Sequence, residues 1–301
     1  MSRIVKILAV LAVLGAAVLF FPAPRLIALK LLGRASVCSL KQAIDSYDHP
    51  RETNRIKDRI LSASRLVEKD PAGFHLWQTP KGRYWMPAGS DYALAWDLAE
   101  QEQNIYNQNG VAARTGDVVL DCGANVGVYT REALRAGARL VVAIELAPEN
   151  LECLRRNFAD EVRAGRVIIY PKGVWDKDDT LTLTVDPQNS AADSLVMRPS
   201  GAHEGPKVPL TTIDKLAAEL KLDRVDFIKM DIEGAERKAL IGAQATLAKY
   251  HPRMALSVYH QPGDPEKIPE LARKGWPGYR VACGTCADST TFIRPDVLFF
   301  Y

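Results

Sequence analysis

The stretch that decides the fold is residues 116–130, Gly116-Asp-Val-Val-Leu-Asp-Cys-Gly-Ala-Asn-Val-Gly-Val-Tyr-Thr130. Its apolar run at residues 118–120 contains two β-branched valines and is flanked by glycines, which predicts a strand buried on both faces. That strand ends at Asp121. Gly123 and Gly127 then predict a tight turn into a helix whose first backbone N–H groups are unpaired. Because open α/β sheets bind ligands at such strand ends, a ligand site is expected here.

The spacing of the glycines argues against a dinucleotide. A dinucleotide-binding turn carries glycines two and five positions after its first glycine. Counted from Gly123, those positions hold Asn125 and Val128. A different small cofactor is therefore expected. A second predicted strand, residues 140–145, ends in Glu145, and a carboxylate can accept hydrogen bonds from both hydroxyls of a ribose.

A second chemical cluster is predicted around residues 225–236, Val225-Asp-Phe-Ile-Lys-Met-Asp-Ile-Glu-Gly-Ala-Glu236. Alternation along a strand places Asp231 and Glu233 on one side, facing the crevice above the sheet. Two such carboxylates can accept hydrogen bonds from a cationic cofactor and from a substrate hydroxyl. The alternative is that Glu233 only caps the next helix. His260 follows another predicted strand and is either a general base or a loop histidine without a chemical role.

These motifs resemble a known family. The turn Asp121-Cys-Gly-Ala-Asn-Val-Gly127 is similar to the cofactor turn of class I S-adenosylmethionine (SAM)-dependent methyltransferases. With Lys229-Met-Asp-Ile-Glu-Gly-Ala-Glu236 and Ser257-Val-Tyr-His-Gln-Pro-Gly-Asp264, the resemblance narrows to FkbM-type methyltransferases over about residues 100–301. It implies SAM-dependent methylation of a hydroxyl on a sugar or other small metabolite, by direct in-line transfer. Family members often carry Arg-His after Gly-Tyr, which this chain lacks, so the acceptor side of the site is expected to differ.

The resemblance also implies roles by position. The methionine end of the cofactor would lie at the glycine turn, its ribose at Glu145 and its adenine at Gly173 and Val174. The cofactor residues so implied are Asp121, Gly123, Asn125, Gly127, Thr130, Glu145, Gly173 and Val174. Because a sulfonium is already a good leaving group, positioning should supply most of the acceleration, with only an assisting base. The candidates for that base and for orienting the hydroxyl are Asp231, Glu233 and His260, and no metal is expected.

Strands that alternate with helices from residue 117 onward predict a parallel sheet. The resemblance adds a Rossmann-like, doubly wound α/β architecture of seven strands, mostly parallel, with the last strand antiparallel. We expect a methyltransferase domain at residues 111–301. Before it, residues 36–110 are predicted as a cap of helices and a β-hairpin that turns at Thr79-Pro-Lys-Gly82. Residues 1–35 are predicted as a membrane anchor.

The anchor prediction rests on residues 7–21, fifteen uncharged residues preceded by Arg3 and Lys6. This run approaches the ~20 residues that a spanning helix needs. A cleaved secretory signal peptide is the alternative. Since an enzyme that consumes SAM is expected to face the cytosol, we predict a membrane-anchored protein whose catalytic domain lies in the cytoplasm.

Composition limits the other possibilities. A net charge of +3 on 301 residues gives no electrostatic reason to expect a nucleic-acid partner. Five cysteines are a low, odd number, more consistent with free thiols in a reducing compartment than with a disulfide framework. Cys283 and Cys286 form an isolated C-x-x-C without the further ligands that zinc needs, and are predicted to be incidental.

Two functions from other classes stay open. A nicotinamide-dependent oxidoreductase would need the third glycine that the turn lacks. A catalytically silent, membrane-tethered nucleotide-binding module would keep the crevice and transfer nothing.

Overall fold

The computed structural model describes residues 3–35, 37–198, 200–288 and 292–301. Within these ranges twelve α-helices and fifteen strands follow one another. The helices are α1 (Arg3–Phe20), α2 (Pro22–Leu31), α3 (Leu40–Asp45), α4 (His49–Ser62), α5 (Asp91–Glu102), α6 (Val128–Arg135), α7 (Pro148–Asn157), α8 (Ala159–Arg163), α9 (Ile213–Glu219), α10 (Glu236–Ile241), α11 (Gln244–Tyr250) and α12 (Asp264–Gly275). The strands are β1 (Arg65–Asp70), β2 (Phe74–Thr79), β3 (Gly82–Pro87), β4 (Val118–Cys122), β5 (Leu140–Ile144), β6 (Val167–Tyr170), β7 (Gly173–Val174), β8 (Asp179–Val185), β9 (His203–Thr211), β10 (Phe227–Met230), β11 (Arg253–Ser257), β12 (Val281–Cys283), β13 (Cys286–Asp288), β14 (Ile293–Pro295) and β15 (Val297–Phe300).

A seven-stranded sheet forms the centre of the molecule, in the order β12-β15-β11-β10-β4-β5-β6. The strands from β11 to β6 pair in parallel. β15, the last strand of the chain, is antiparallel to both β11 and β12. The predicted mixed α/β fold with a largely parallel sheet is therefore confirmed, and the antiparallel strand is the one expected.

Helices cover both faces of this sheet. Alternate residues of β4 point to opposite faces, and apolar side chains on each face pack against a different set of residues. Leu120 belongs to an apolar cluster with residues of α9 to α12, whereas Val119 packs with Tyr106 and Tyr129 on the other face. Every residue of β4 is buried. The carboxyl end of β4 is thus held rigidly between two layers of helix.

The residues before the sheet form a second layer. β1, β2 and β3 make an antiparallel sheet, and the predicted hairpin is confirmed, with Thr79 paired to Gly82. α4 ends at Ser62, and Leu66 then pairs with Trp77 in β2. The hairpin packs together with α5 against the start of α6. This layer therefore lies directly over the glycine turn.

The N-terminal helix corrects a prediction. Among the residues that the structure describes, no helix is long and apolar enough to cross a membrane. α1 has 18 residues and contains Arg3 and Lys6. Its uncharged part, residues 7–20, spans about 21 Å at 1.5 Å per residue, against a hydrocarbon core of about 30 Å. The prediction of a membrane-anchored protein is therefore wrong.

The cysteines correct a second prediction. Cys38, between α2 and α3, forms a disulfide with Cys286 at the start of β13. The partners are 248 residues apart in sequence, so only the folded chain reveals the pair. Cys283 stays a free thiol, and its Sγ donates to the carbonyl oxygen of Val37 at 3.4 Å. The expectation of free thiols is wrong for Cys38 and Cys286, which tie the N-terminal helices to the C-terminal strands.

We expect the Cys286→Ser variant to lose about 2–5 kcal/mol of unfolding free energy, because the disulfide closes a long loop in the unfolded chain. The matched control is Cys283→Ser, three residues away, which removes a thiol but no crosslink and should lose less than about 1 kcal/mol. Urea denaturation under non-reducing conditions measures both. Equal midpoints for the two variants would show that the crosslink does not stabilise the fold.

Candidate cofactor and active site

Two adjoining cavities lie where β4, β10 and β11 end. The ends are in register, since Met230 pairs with Cys122 on one side and with Leu256 on the other. The larger cavity has a volume of about 410 Å³ and the smaller about 60 Å³. Residues shared by both walls are Gly123, Asn125, Ala191, Asp231 and Glu233. A ligand in this crevice can therefore contact the glycine turn and the acidic pair together.

The glycine turn is shaped by close packing. Gly123 has φ +77°, and a Cβ there would stand 1.8 Å from the carbonyl oxygen of Asp231. Gly127 has φ +93°, and its Cβ would stand 2.1 Å from the ring of Phe158. Both positions thus require glycine. Gly123 lines both cavities, but Gly127 faces Phe158 and serves the packing of α6.

Glu145 is buried at the edge of the smaller cavity. Its Oε2 accepts from the backbone N–H of Asn125 at 2.8 Å, and its Oε1 accepts from those of Leu146 and Ala147. Burial raises the pKa of Glu145, and the three backbone N–H groups oppose that rise. Gly173 and Val174 line the same cavity. The structure therefore brings together the three residues predicted for ribose and adenine.

Asp121 and Thr130 lie beneath the turn. Both are fully buried, and Thr130 Oγ1 donates to Asp121 Oδ2 at 2.6 Å. Lys229 Nζ lies 3.4 Å from Asp121 Oδ1 and donates to the carbonyl oxygen of Gly123 at 2.8 Å. Within the described part of the chain, neither Asp121 nor Thr130 lines a cavity wall. Their contacts brace the turn from below.

Asp231, Glu233 and His260 do converge, although not by strand alternation. β10 ends at Met230, and Glu233 reaches the crevice through a left-handed backbone, with φ +51°. His260 Nε2 lies 3.5 Å from Asp231 Oδ1 and 3.4 Å from Glu233 Oε1. Asp231 Oδ2 also accepts from the Tyr106 hydroxyl at 2.6 Å. The turn after β10 therefore aims both carboxylates at one imidazole.

Glu233 does not cap α10, since the N-terminus of this helix has no side-chain cap hydrogen bond. Glu236, the first residue of α10, folds back instead, and its Oε1 accepts from the backbone N–H of Ile232 at 2.9 Å. The same oxygen lies 3.0 Å from His260 Nδ1. Glu236 thus orients the imidazole, a role that the spacing of the sequence did not indicate.

Burial and neighbouring charges shift the pKa values of His260, Asp231 and Glu233. Burial lowers the pKa of His260, but the nearby carboxylates of Glu233, Glu236 and Asp231 outweigh it and raise the pKa to about 11. Burial raises the pKa of Asp231, but the charges of His260 and Lys229 lower it overall. Burial leaves the pKa of Glu233 raised. Glu233, with its raised pKa and its place in the walls of both cavities, is therefore the better-placed base.

Several residues that line the larger cavity come from α5 and were not predicted from the sequence. Asp97 Oδ2 accepts from Asn125 Nδ2 at 3.4 Å, and Glu100 Oε1 accepts from Trp96 Nε1 at 2.8 Å. Burial raises the pKa of Asp97 to about 7 and that of Glu100 to about 8. The detectable signal was the spacing of Tyr92, Trp96 and Glu100, four residues apart on one helix face.

The segment after β8 forms part of the wall of the larger cavity. Ser190 lies in a short 3-10 turn, and its backbone N–H donates to Ser90 Oγ at 3.0 Å. Its carbonyl oxygen accepts from Asn150 Nδ2 at 3.1 Å. Asn189 and Ala191 line the larger cavity. These bonds fix the segment between α7 and the layer that contains α5.

Comparison with known proteins places this crevice in context. Residues 121–289 match the model of the methyltransferase FkbM domain family. Among curated proteins, the chain is 26% identical over 166 residues to 31-O-demethyl-FK506 methyltransferase FkbM of Streptomyces tacrolimicus, covering 46% of this chain and 64% of that protein. It is 28% identical over 185 residues to AMB antimetabolite synthetase AmbE of Pseudomonas aeruginosa, covering 48% of this chain and 8% of that protein. The chain thus spans less than two thirds of the length of either relative.

Among solved structures, a methyltransferase FkbM from Methylobacillus flagellatus is similar to this chain, with a TM-score of 0.46 and 18% identity. The similarity covers 86% of this chain and 60% of that chain.

Proposed function

Because this chain belongs to the FkbM methyltransferase domain family, whose model covers more than half of it, we propose that it transfers a methyl group from SAM to a hydroxyl of a sugar or other small metabolite. The observation that carries the proposal is the pair of adjoining cavities, one beside Glu145 and one beside Asp231 and Glu233. Residues 111–301 would form the methyltransferase domain, and residues 36–110 would form a cap over its crevice.

The residues of the crevice fit the charge of SAM, which carries a sulfonium and an ammonium group. Four carboxylates line the larger cavity, and Lys229 is the cation among its described lining residues. Those carboxylates belong to Asp97, Glu100, Asp231 and Glu233. Burial of so many acids in one place is unfavourable unless a cation joins them.

The hydrogen-bonding groups of the crevice fit as well. Buried side-chain oxygens without a hydrogen-bond partner in the described chain include Asn125 Oδ1, Asn150 Oδ1, Asp193 Oδ2 and Asp231 Oδ1. Buried polar atoms are rarely left unpaired, so each can accept from a ligand or from water. The residue types present therefore suit a ligand with ammonium, hydroxyl and amino donors.

The proposed contacts follow the cavity walls. Gly123, Asn125 and Asp97 would hold the methionine end, Glu145 the ribose, and Gly173 with Val174 the adenine. Asp121, Gly127 and Thr130 would act through the shape of the turn, since their contacts are with protein atoms.

SAM, when bound, supplies an electrophilic methyl group on a sulfur that is a good leaving group. Asp231, kept ionised by its neighbours, would accept a hydrogen bond from the acceptor hydroxyl and orient it. Glu233, whose pKa is raised, would take the proton of that hydroxyl. His260 would hold the two carboxylates in place. The walls from α5 and the segment at residues 189–193 would keep water away from the oxygen.

We expect the Glu145→Ala variant to weaken SAM binding by roughly ten- to hundredfold, because a charged acceptor of hydrogen bonds is worth about 1.5–3 kcal/mol. The matched control is Glu161→Ala on α8, outside both cavities, which should bind SAM as the wild type does. Calorimetric titration measures the affinities, and circular dichroism establishes that both variants are folded. Unchanged affinity in folded Glu145→Ala would contradict the proposed position of the ribose.

A further inference from the structure

Three carboxylates surround one buried imidazole at the floor of the crevice. The His260 side chain is 1% exposed, and its two nitrogens face different partners. Nδ1 is held by Glu236, whereas Nε2 faces Asp231 and Glu233 at 3.5 and 3.4 Å. One donor atom from each of Asp231, Glu236 and His260 lies within 4.8 Å of the others.

Two of the atoms that face one another here lack a hydrogen-bond partner. In the described chain, His260 Nε2 and Asp231 Oδ1 are buried and unpaired. An unpartnered ring nitrogen that is fully buried and aimed between two carboxylate oxygens calls for a ligand. The distances from Nε2 are too long for good hydrogen bonds, but they leave room for an ion.

We propose that Asp231, Glu233 and His260 bind a divalent metal ion, with Glu236 orienting His260. Two donor atoms bound tetrahedrally to one ion at about 2.0–2.2 Å lie about 3.4 Å apart. That separation matches the distances from His260 Nε2 to both carboxylate oxygens. A metal-bound histidine typically gives its other ring nitrogen to a carboxylate, and Glu236 occupies that place.

Charge supports the same site. Asp231, Glu233 and Glu236 together bring three negative charges to one imidazole. The nearby cation Lys229 is already held by Asp121 and by the carbonyl oxygen of Gly123. A proton on Nε2 neutralises one of these charges, whereas a divalent ion in the same position would neutralise two. Mixed oxygen and nitrogen ligands suit manganese, iron, cobalt or zinc better than calcium.

The ion would have a chemical role that rests on the proposed function. Asp231 and Glu233 line the larger cavity, so a free coordination position there could take the oxygen of the acceptor hydroxyl. Coordination lowers the pKa of a bound hydroxyl and fixes its direction. Glu233 would bind the ion through Oε1 and keep its other carboxylate oxygen to take the proton that the hydroxyl releases. The metal would therefore favour acceptors that place a hydroxyl oxygen at the free coordination position beside Asp231.

Manganese(II) titration of the metal-stripped full chain, followed by the electron paramagnetic resonance signal of free manganese, tests this site. We expect one ion per chain with a dissociation constant below about 100 μM, and at least tenfold weaker binding in Asp231→Asn and His260→Gln. Glu161→Gln is the control, because it removes an acid on α8 that lies outside both cavities, and it should change the affinity less than threefold.

A second measurement, on the wild-type chain, tests whether a histidine binds the ion, so it does not depend on the folding of a variant. Cobalt(II) bound to the wild-type chain should give a strongly shifted imidazole proton signal in nuclear magnetic resonance. No stoichiometric manganese binding up to 1 mM, or no shifted imidazole signal, would overturn the proposal. SAM titrated into the same samples separates the two ideas. SAM binding without metal binding removes only the metal site, and metal binding without SAM binding removes only the proposed cofactor.

Discussion

Gly123→Ala is expected to lose several kcal/mol of unfolding free energy and all measurable SAM binding. The new Cβ would stand 1.8 Å from the carbonyl oxygen of Asp231, a backbone atom that no side-chain rotation can move. The backbone at φ +77° adds strain of about 1–3 kcal/mol for a residue with a Cβ. Relief would require separating the turns after β4 and β10, which form the crevice.

Gly116→Ala is the matched control for this variant. Gly116 has φ +86°, yet a Cβ there would meet nothing within 4 Å. Gly116→Ala should therefore lose only the free energy of backbone strain, about 1–3 kcal/mol, and should bind SAM as the wild type does. Urea denaturation and SAM titration of both variants make the comparison. A Gly123→Ala protein as stable as Gly116→Ala, with normal SAM binding, would contradict the packing described for the turn.

Asp231→Asn is expected to lower the rate of methyl transfer by about 10²–10³-fold while changing SAM affinity only a few-fold. The variant keeps the size of the side chain but loses the charge that orients the acceptor and faces His260. The measurement is release of S-adenosylhomocysteine in the presence of a hydroxylated acceptor found by screening.

The control for Asp231 is Asp223→Asn. Asp223 is an exposed acid that pairs with Arg139, and the two residues precede β10 and β5, at the ends of the strands opposite the crevice. The control variant should leave the rate of methyl transfer unchanged. An undiminished rate in Asp231→Asn would remove this residue from the active site. An equal loss of rate and SAM binding would instead place it in the cofactor site.

The core of the fold was predictable because its information is local. Residues 118–120 are a short apolar run with two β-branched valines and flanking glycines, a pattern typical of a buried strand. The glycine turn was predictable for the same reason, since positive φ angles at Gly123 and Gly127 demand a residue without a Cβ.

The walls of the site could not be predicted because they depend on distant contacts. Asp97 meets Asn125, and Cys38 meets Cys286, only after helices and sheet have packed. Asp231 and Glu233 were predicted together by strand alternation, yet a left-handed turn after β10 is what joins them. The membrane anchor failed for a different reason, because the uncharged part of α1 only approaches the length that a spanning helix needs.

Calorimetric titration of SAM, and separately of NADH, into the full chain tests whether the crevice is a SAM site. We expect one SAM per chain with micromolar affinity and no measurable NADH binding, since Asn125 and Val128 replace the glycines that a dinucleotide needs. A folded sample that binds NADH, or that fails to bind SAM, would contradict the proposed SAM site.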